Sequence, residues 1–481
     1  MGNPPRQTED PLSPPCVPFF DGDNGGSTAP GVTGDEIRVV FYNDIGLLGE
    51  LSEPWTSPDA PGGSGDGANL FRTAKALVRY FNSRYQTYDR TVRVFAWPSV
   101  GGPNAPCGSR RADAHVVVEQ LQPFAAMAFG PNMRCFVEQL ASELAIPTLG
   151  AMTDLSRSTY ETAAPYVWSF MPDLTTIASL SAGFICRTLA GAPARFSTDP
   201  LLASRNRSFG LVYRVGDTLR SPSMASSELL QAALSETCGD TFTSVDALVG
   251  DGIGELPLIM AKYRLLGITT LVCYCSTSAE DLMPQRAQAA ATAVGYFPEW
   301  YWDASTGMDR AGAQRSLGEP HHVSFGTSSW WRQPPFEQTF AYQAYLSEEP
   351  GTVPEGRHLF WIYHALLVLF QGVQAAGPNL NLHTLERGLN TFNYLDRSDP
   401  FVPIGGFGAY NSGAVGNHTF VDTGMGWWWD PAALADGVAA PGCVRVMRKG
   451  LRLYADEWPP NDGDLFVGVA PCAGDIERAF P

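Results

Sequence analysis

The chain has 481 residues, of which 49 are acidic and 32 are basic, so its formal net charge is −17. Proteins that bind nucleic acids or anionic membranes concentrate lysine and arginine, and this excess of acid argues against both partners. Only three of the basic residues are lysines, which codon bias in a GC-rich genome explains most simply. Because 44% of the residues are hydrophobic and 11% are aromatic, the composition predicts a globular protein with large cores.

The first part of the chain alternates short apolar runs with amphipathic stretches. Strands are predicted at 37–42 (IRVVFY), 92–97, 125–129 and 146–149, and helices at 68–84, 111–121 and 133–144. In the first helix, Leu70, Ala74, Leu77 and Phe81 recur at helical spacing and form one apolar stripe. Strands and helices that alternate with mostly short connections indicate right-handed βαβ units and a parallel sheet.

The same alternation starts again after an extended segment at 166–170. Helices are predicted at 174–189, 223–234, 253–266 and 282–294, and strands at 209–213, 242–245 and 269–275. We expect an α/β protein of two lobes: lobe I from 35–170 plus about 320–390, and lobe II from 171–319 plus about 391–481 with a C-terminal extension. In this scheme residues 1–34 are a Pro/Gly-rich tail, and the strand at 323–325 and the helix at 359–376 return to lobe I.

The longest apolar run is LFWIYHALLVLF at 359–370. It is about a dozen residues long, whereas a membrane-spanning helix needs about 20, so we expect a buried core helix and no membrane span. The proline-rich N-terminus lacks the basic flank and the apolar core of a signal peptide. We therefore expect an exported chain that begins after a removed leader.

Nine cysteines stand at positions 16, 107, 135, 186, 238, 273, 275, 443 and 472. The sequence contains no Cys-x-x-Cys pair, and Cys273 and Cys275 are too close for a zinc knuckle, so no metal site is expected. Several disulfides with one remaining thiol fit an exported protein. Buried reduced thiols are the alternative that the sequence leaves open.

Several motifs, in their order along the chain, resemble one family. They are FAAMAFGP at 124–131, AIPTLGAMT at 145–153, YVWSFMP at 166–172, GYFPE at 295–299 and the helix at 363–377. Together they resemble the type I periplasmic binding proteins, the solute-binding proteins of branched-chain amino-acid ABC importers. The resemblance implies two Rossmann-like lobes with parallel sheets, joined by a multi-strand hinge, with a ligand cleft between them. It also implies an extracytoplasmic protein that is secreted, periplasmic or lipid-anchored and that delivers its ligand to an ABC permease.

In such a fold the ligand contacts come from the ends of strands. The expected contacts are Gly130, Asn132, Ala151, Thr153, Trp168, Tyr213, Ser276, Glu299, Trp302 and Asp303. Ala151 and Thr153 match the family's Ala-x-Thr, which holds a ligand carboxylate, whereas Asn132 stands where the family has a small hydroxyl residue. Either Glu299 or Asp303 would bind the ligand ammonium.

The expected mechanism is closure of the lobes over a ligand. Thr153 and the turn at Gly130 would hold its polar end, and Trp168, Tyr213 and Trp302 would clasp its apolar part. Aromatic faces suit a ligand with flat or apolar area, which argues against a simple branched-chain amino acid.

Each of these assignments has a structural alternative. Thr153 would cap the following helix, Trp168 would be a core aromatic, and Asp303 would be a solvated loop charge. The run Trp427-Trp428-Trp429 is either packing on lobe II, which we favour, or an exposed patch.

Two disulfide pairs are expected. Cys107 follows the second strand and Cys135 opens the helix after the third, both on the same edge of lobe I, and some members of the family have a disulfide at similar places. Cys443 with Cys472 is the second expected pair.

The sequence contains no Gly-x-Ser-x-Gly elbow, no Walker loop and no His-Glu-x-x-His helix, so we expect neither an enzyme nor a cofactor. Three functions remain open. They are a solute-binding protein of an ABC importer, a ligand-sensing ectodomain or regulator of the same fold, and an interaction protein without a pocket.

Overall fold

The computed structural model describes residues 10–52, 66–102, 105–129, 133–150, 155–215, 222–249, 252–275, 282–318, 322–408, 417–433 and 441–460. The strands are β1 (Glu36–Asn43), β2 (Gly49–Glu50), β3 (Thr91–Pro98), β4 (Ala125–Phe129), β5 (Thr148–Gly150), β6 (Val167–Ser169), β7 (Phe209–Val215), β8 (Phe242–Val249), β9 (Thr270–Tyr274), β10 (Glu299–Trp302), β11 (Val323–Ser328), β12 (Asn393–Tyr394), β13 (Gly405–Gly406), β14 (Met425–Asp430) and β15 (Cys443–Val446).

The helices are α1 (Asp66–Arg84), α2 (Cys107–Leu121), α3 (Arg134–Gln139), α4 (Arg157–Thr162), α5 (Leu174–Gly183), α6 (Pro200–Ala203), α7 (Pro222–Cys238), α8 (Leu256–Leu266), α9 (Met283–Ala293), α10 (Ala311–Leu317), α11 (Phe340–Glu348), α12 (Gly356–Ala376) and α13 (Leu382–Leu389). Both α3 and α5 continue into π-helical segments, Leu140–Leu144 and Phe184–Leu189. Each helix predicted above overlaps one of these helices.

Six strands form the sheet of lobe I, in the order β2-β3-β1-β4-β5-β6, and only β2 is antiparallel to its neighbour. In the central strand β1, Val39 and Phe41 face the core under α1 and α12, whereas Val40 and Tyr42 face the core under α2 and α3. The strand is a continuous apolar run because both of its faces are buried.

Seven strands form the sheet of lobe II, in the order β15-β14-β11-β10-β9-β7-β8. Strands β7 to β11 are parallel, and β14 and β15 extend the sheet in antiparallel fashion. One face packs against α5 and α7, and the other packs against α8, α9 and α10. The expectation of two α/β lobes with parallel sheets is therefore confirmed.

The boundaries expected for the two lobes were wrong in two places. The strand around 323–325 is β11, which pairs with β10 in lobe II instead of returning to lobe I. Residues 391–421 do not belong to lobe II, because Phe392, Phe407 and Phe420 are buried in the core of lobe I. Strands β14 and β15 do join lobe II, and Met447, Leu453 and Trp458 are buried in its core. Short apolar segments do not identify the sheet they join, since that choice depends on partners far away in the chain.

Within the described residues the chain passes between the lobes three times. The passages follow β6, β11 and the β12–β13 hairpin, and the first and third run side by side, with Phe420 N–H donating to Ser169 O over 2.9 Å. These segments form the hinge.

The described part of the N-terminal segment is docked and is not a free tail. The Tyr363 hydroxyl on α12 donates to Asp10 Oδ2 over 2.6 Å, and Gln374 Nε2 donates to Pro15 O over 3.0 Å. Leu12 is buried in the same core. The expected tail at 1–34 is therefore, from Asp10 onward, part of lobe I.

Helix α12 is long and apolar enough by composition to cross a membrane, but 89% of its most apolar window is buried inside the protein. It packs against α1 and α13. It is the core helix that the sequence predicts.

The three tryptophans of β14 alternate between the two faces of the lobe II sheet. Trp427 and Trp429 pack on the side of α8 to α10, and Trp428 packs on the side of α5 and α7. The run is packing on lobe II, as expected.

Three disulfides lie within the described residues. They are Cys107–Cys135, Cys186–Cys238 and Cys273–Cys275, and Cys16 is an exposed thiol. The first is the pair expected for lobe I, and the other two were not foreseen. Cys443 is also disulfide-bonded, but Cys472 lies outside the described residues, so that pairing stays a prediction.

Candidate functional site

The two sheets share one strand order, which locates a candidate site in each. Counted along the chain, the parallel strands of lobe I lie in the order second, first, third, fourth, fifth, and those of lobe II follow the same order. In open α/β sheets, ligands bind beyond the carboxyl ends of the strands where this order reverses. The reversal lies between β1 and β4 in lobe I, and between β7 and β9 in lobe II.

In lobe I, Asp44 directly follows β1 at this position. The preceding residue, Asn43, is fully buried and shapes the turn, because its Nδ2 donates to Leu47 O over 3.0 Å and to Trp97 O over 3.2 Å. Its Oδ1 accepts from Leu47 N–H over 2.9 Å. A buried amide with all these partners fixes the backbone from which the Asp44 side chain projects.

The Asp44 carboxyl is only partly satisfied by the protein. Burial raises its pKa, and the charges of Arg110 and His358 oppose that shift. Its Oδ2 is buried, and no donor among the described residues reaches it. A desolvated acceptor without a partner is costly to maintain, so Asp44 is the group in this region that is best prepared to accept a hydrogen bond from a ligand.

Arg110 lies in the first turn of α2 and is almost completely buried. It donates to Gly102 O over 3.2 Å and contacts Met133 Sδ over 3.1 Å. One turn earlier, the Cys107–Cys135 disulfide joins the starts of α2 and α3, with the two Cα atoms 5.4 Å apart. The disulfide therefore holds the helix that carries the guanidinium close to Asp44.

His358 and Phe129 complete the lobe I side. His358 lies in the first turn of α12, with its Nδ1 3.1 Å from Glu355 Oε2, and its ring meets the Phe129 ring edge-on at 5.4 Å between centroids. Phe129 is the last residue of β4. Asp44, Arg110, Phe129 and His358, called the lobe I cluster below, combine a free acceptor, a guanidinium, an imidazole and an aromatic ring.

Among the described residues of lobe II, an acid at the carboxyl end of a strand is already satisfied by hydrogen bonds. Asp303 follows β10 and accepts hydrogen bonds from the Tyr274 hydroxyl, from Ser305 N–H over 2.9 Å and from the Ser305 hydroxyl over 2.6 Å. Burial raises its pKa, and these hydrogen bonds oppose the shift. Asp303 therefore shapes the loop after β10, and it is not the solvated charge of the structural alternative.

A second lobe II acid, Asp309, belongs to the hinge. It is completely buried and its Oδ2 accepts from the hydroxyl of Ser328, the last residue of β11. Burial raises its pKa to about 6. No donor among the described residues reaches its Oδ1.

Known structures share this architecture. A leucine-, isoleucine-, valine-, threonine- and alanine-binding protein from Brucella ovis, in its closed conformation, matches with a TM-score of 0.60 and 8% identity over 89% of this chain and 98% of that chain. An ABC transporter substrate-binding protein from Desulfitobacterium hafniense in complex with Leu matches with a TM-score of 0.55 and 13% identity, over 86% of this chain and 100% of that chain. A fatty acid ABC transporter substrate-binding protein from Thermomonospora curvata matches with a TM-score of 0.54 and 12% identity, over 90% of this chain and 97% of that chain.

The chain has the type I periplasmic binding protein fold. No family model matches the sequence, and no curated protein sequence matches it. At these identities the comparisons establish the fold alone. What the protein binds depends on this chain's own residues.

Three of the expected contacts lie in places that a ligand does not reach. Trp168 is buried in the hinge, where it stacks on His418 at 3.9 Å between ring centroids. Trp302 is buried in the lobe II core, with its Nε1 donating to Ser324 Oγ over 3.2 Å. Both are packing residues, as the structural alternative for Trp168 had it.

Glu299 is the third. It begins β10 and therefore lies at the opposite end of the strand from the cleft edge. Arg207 donates to both of its oxygens, over 2.8 and 3.0 Å, and Thr270 and Phe196 N–H supply further hydrogen bonds. Because both side chains of this ion pair are completely buried, Glu299 cannot bind a ligand ammonium.

Tyr213 remains a candidate contact. It is half-buried near the end of β7 and lies beside Tyr274 on β9, at the strand reversal of lobe II. Gly130, Asn132, Ala151, Thr153 and Ser276 lie outside the described residues. Within the described residues no group of three or more His, Cys, Asp or Glu side chains is arranged to hold a metal ion.

Arg110 and His358 were not foreseen as site residues. Arg110 lies in the first turn of the helix that follows β3. A search of the residues after each predicted strand could therefore have found it. His358 reaches the site from a helix far along the chain, and no local pattern indicates which strand that helix approaches.

Proposed function

We propose that the protein is an extracytoplasmic solute-binding protein that captures a small organic ligand between its lobes and delivers it to an ABC importer. The fold supports this role, since the matching structures are named as ABC transporter substrate-binding proteins or amino-acid-binding proteins. The observation that carries the proposal is the lobe I cluster, where a buried carboxylate oxygen without a partner lies at the strand reversal.

The lobe I cluster suggests how the ligand is oriented. Asp44 would accept a hydrogen bond from an ammonium, amide or hydroxyl group of the ligand. Arg110 and His358 would favour an anionic or carbonyl group nearby, and Phe129 would cover apolar area. A ligand with a compact polar end and an apolar part matches these groups, which is the amino-acid-like class or a somewhat larger one.

Closure of lobe II would complete the contacts. Tyr213 supplies an aromatic ring and a hydroxyl at the lobe II reversal, whereas Trp168 and Trp302 no longer belong to the clasp. Gly130, Asn132, Ala151, Thr153 and Ser276 stay proposed contacts, because each follows a strand end in the same two regions. A hinge of three passages permits closure without unfolding either core.

The first experiment identifies the ligand. Protein purified from its own host is analysed by native mass spectrometry, and the released compound is titrated calorimetrically into ligand-free protein. We expect a small molecule to co-purify in one copy per chain. A melting temperature that no co-purified compound or metabolite library raises would argue for an interaction protein without a pocket, because a ligand at a hundred times its Kd adds about 2.7 kcal/mol.

The second experiment tests the site. Asp44→Asn keeps the shape of the side chain, and we expect its Kd for the identified ligand to rise about ten- to a hundredfold, as for loss of a hydrogen bond to a charged group. Glu119→Gln is the matched control, since Glu119 is an exposed acid on α2 of the same lobe. Equal affinities for wild type and Asp44→Asn would place the site elsewhere.

A further inference from the structure

A cavity lies beside the hinge, away from both strand reversals. It has a volume of about 180 Å³ and is enclosed by the segments 397–404 and 448–452. Four cationic side chains line it, Arg397, Arg448, Lys449 and Arg452, against one carboxylate, Asp399. In a chain of net charge −17 this concentration of positive charge is unusual and requires an explanation.

Arg452 forms the inner wall and is a buried cation without a counter-ion. It is 2% exposed, and its guanidinium donates to Thr423 Oγ1 over 2.8 Å, to Ser329 O over 3.1 Å and to the carbonyls of Trp330 and Thr423. All of these acceptors are neutral, and Arg452 forms no ion pair with any described residue. Desolvation lowers its pKa to about 9. A buried charge that only dipoles compensate is costly, and an anion in the adjoining cavity would offset that cost.

Arg448 and Lys449 add two further cations on an unusual backbone. Their φ angles are 48° and 61°, so two consecutive residues with side chains adopt the left-handed region that normally favours glycine. Both side chains are exposed, and neither has an ion-pair partner among the residues that the structure describes. Strained backbone of this kind persists where the surrounding structure requires it, and here it brings two free charges to the cavity.

The fourth cation, Arg397, is held in place on its outer side. Its Nη1 lies 3.0 Å from both oxygens of Glu457, and its guanidinium lies over the Tyr454 ring at 4.9 Å. The carboxylate of Asp399 is engaged by its own loop, since Oδ1 accepts from Phe401 N–H over 2.8 Å. Two of the four cations, Arg397 and Arg452, are therefore held in place before any ligand arrives.

We propose that this cavity binds a tetrahedral oxyanion, phosphate or sulfate. Guanidinium and ammonium groups that approach from several directions match oxygens distributed around a tetrahedron, and charge-assisted hydrogen bonds of this type are the strong ones. The site does not depend on the ligand cleft, since none of its lining residues belongs to the lobe I cluster or follows β7 or β9.

The test is an isothermal titration with inorganic phosphate at constant ionic strength, repeated with sulfate, acetate and chloride. The variant is Arg448→Gly with Lys449→Gly, because glycine accepts both φ angles and removes only the charges. The matched control is Lys262→Gln with Arg286→Gln, which removes two exposed cations far from the cavity in the sequence. We expect one saturable phosphate site in wild type and control, and an affinity at least about tenfold weaker in the glycine variant.

Thermal unfolding separates binding from folding. Without phosphate the glycine variant should melt at the same temperature as wild type or at a higher one, because glycine relieves the backbone strain at the two left-handed positions. Phosphate should raise the melting temperature of wild type and control by more than that of the variant. Absence of saturable phosphate or sulfate binding, or an unchanged affinity in the glycine variant, would overturn the proposal. Acetate that binds as tightly as phosphate would contradict the tetrahedral assignment.

Discussion

The carboxylates at the cleft edges of the two lobes have opposite surroundings, although both lobes share one strand order. Asp44 in lobe I keeps a buried oxygen that no described residue satisfies, while Arg110 and His358 stabilise its charge from a distance. Asp303 in lobe II accepts three hydrogen bonds from Tyr274 and Ser305. An acid that follows β1 is thus left open in lobe I, whereas an acid that follows β10 is saturated in lobe II.

This difference shows how a duplicated architecture can divide its tasks. An unsatisfied polar group lowers stability, so a protein retains one where function requires it. A saturated carboxylate, in contrast, shapes a loop and contributes to folding. We infer that lobe I recognises the polar end of the ligand and that lobe II supplies a preformed surface against which it closes.

The largest expected effect concerns the buried ion pair of lobe II. Glu299→Gln removes the carboxylate that pairs with the buried Arg207, and breaking such a pair costs about 3–5 kcal/mol. Urea unfolding followed by circular dichroism measures this loss. Because Glu299 lies at the amino end of β10, the affinity of the folded fraction for the cleft ligand should not change.

If Glu299→Gln weakened ligand binding without lowering stability, the assignment of this acid to the lobe II core would be wrong. Asp240→Asn serves as the control, since Asp240 is an exposed acid in a loop of the same lobe. Its free energy of unfolding should stay within about 0.5 kcal/mol of wild type.

The second prediction compares one disulfide in each lobe. Cys107–Cys135 closes 28 residues and Cys186–Cys238 closes 52, so the chain-entropy estimate gives each a contribution of about 3–4 kcal/mol. Replacing either pair by alanine should lower the free energy of unfolding by that amount. Only the lobe I pair holds the helix that carries Arg110, so only its removal should also weaken ligand binding.

Calorimetric titration of both double variants decides this point. Equal ligand affinities for the two would show that the Cys107–Cys135 bridge does not position the lobe I cluster. Loss of affinity in the Cys186–Cys238 variant alone would reverse the roles that we assign to the lobes.

Elements with a local apolar pattern were predicted correctly from the sequence, and elements whose place depends on distant parts of the chain were not. Strand β1 and helix α12 were recognised because their apolar patterns are local. The lobe of β11 was missed because its partners β10 and β14 lie elsewhere in the chain. Similarly, the hairpin of β12 and β13 carries too little periodicity to reveal that its neighbours fill the lobe I core.

The candidate site divides in the same way. The rule that contacts follow strand ends led to Tyr213 as an expected contact, whereas Asp44, which directly follows β1, was not among the expected contacts. Glu299 was misplaced because the strand begins there instead of ending nearby, and a shift of a few residues exchanges the two ends of a short strand. Trp302 was misplaced because both faces of its strand are buried, which leaves none for the cleft.

The third prediction concerns Asp309, the buried acid beside the hinge. Its pKa is about 6 in the folded protein, against 3.8 for an unperturbed aspartate, so the folded state binds more protons between these pH values. The contribution of this group to the free energy of unfolding is therefore fully present below pH 3.8 and is lost as the pH rises through 6. Asp309→Asn should raise the free energy of unfolding at pH 8 by up to about 3 kcal/mol and have no such effect near pH 3.5.

Chemical unfolding of wild type and Asp309→Asn across this pH range measures the difference. A constant difference between the two proteins would mean that Asp309 is not the titrating group. Asp309 accepts a hydrogen bond from Ser328, which lies at the start of a passage between the lobes. The same variant therefore also tests whether this buried acid limits closure of the lobes.

The smallest expected effect on stability belongs to Asp44, and it is the one that most directly separates the two lobes. Burial raises the pKa of this carboxyl, so its contribution to stability falls as the pH rises above the value of an unfolded aspartate. Asp44→Asn removes the charge and should leave the free energy of unfolding at pH 7.5 unchanged or higher by less than about 1 kcal/mol. In lobe II, Asp303→Asn should instead lower it, because a donor amide replaces a carboxylate that accepts three hydrogen bonds. Urea unfolding of both variants without ligand provides the comparison, and a loss of stability in Asp44→Asn as large as that in Asp303→Asn would mean that Asp44, too, is committed to the fold.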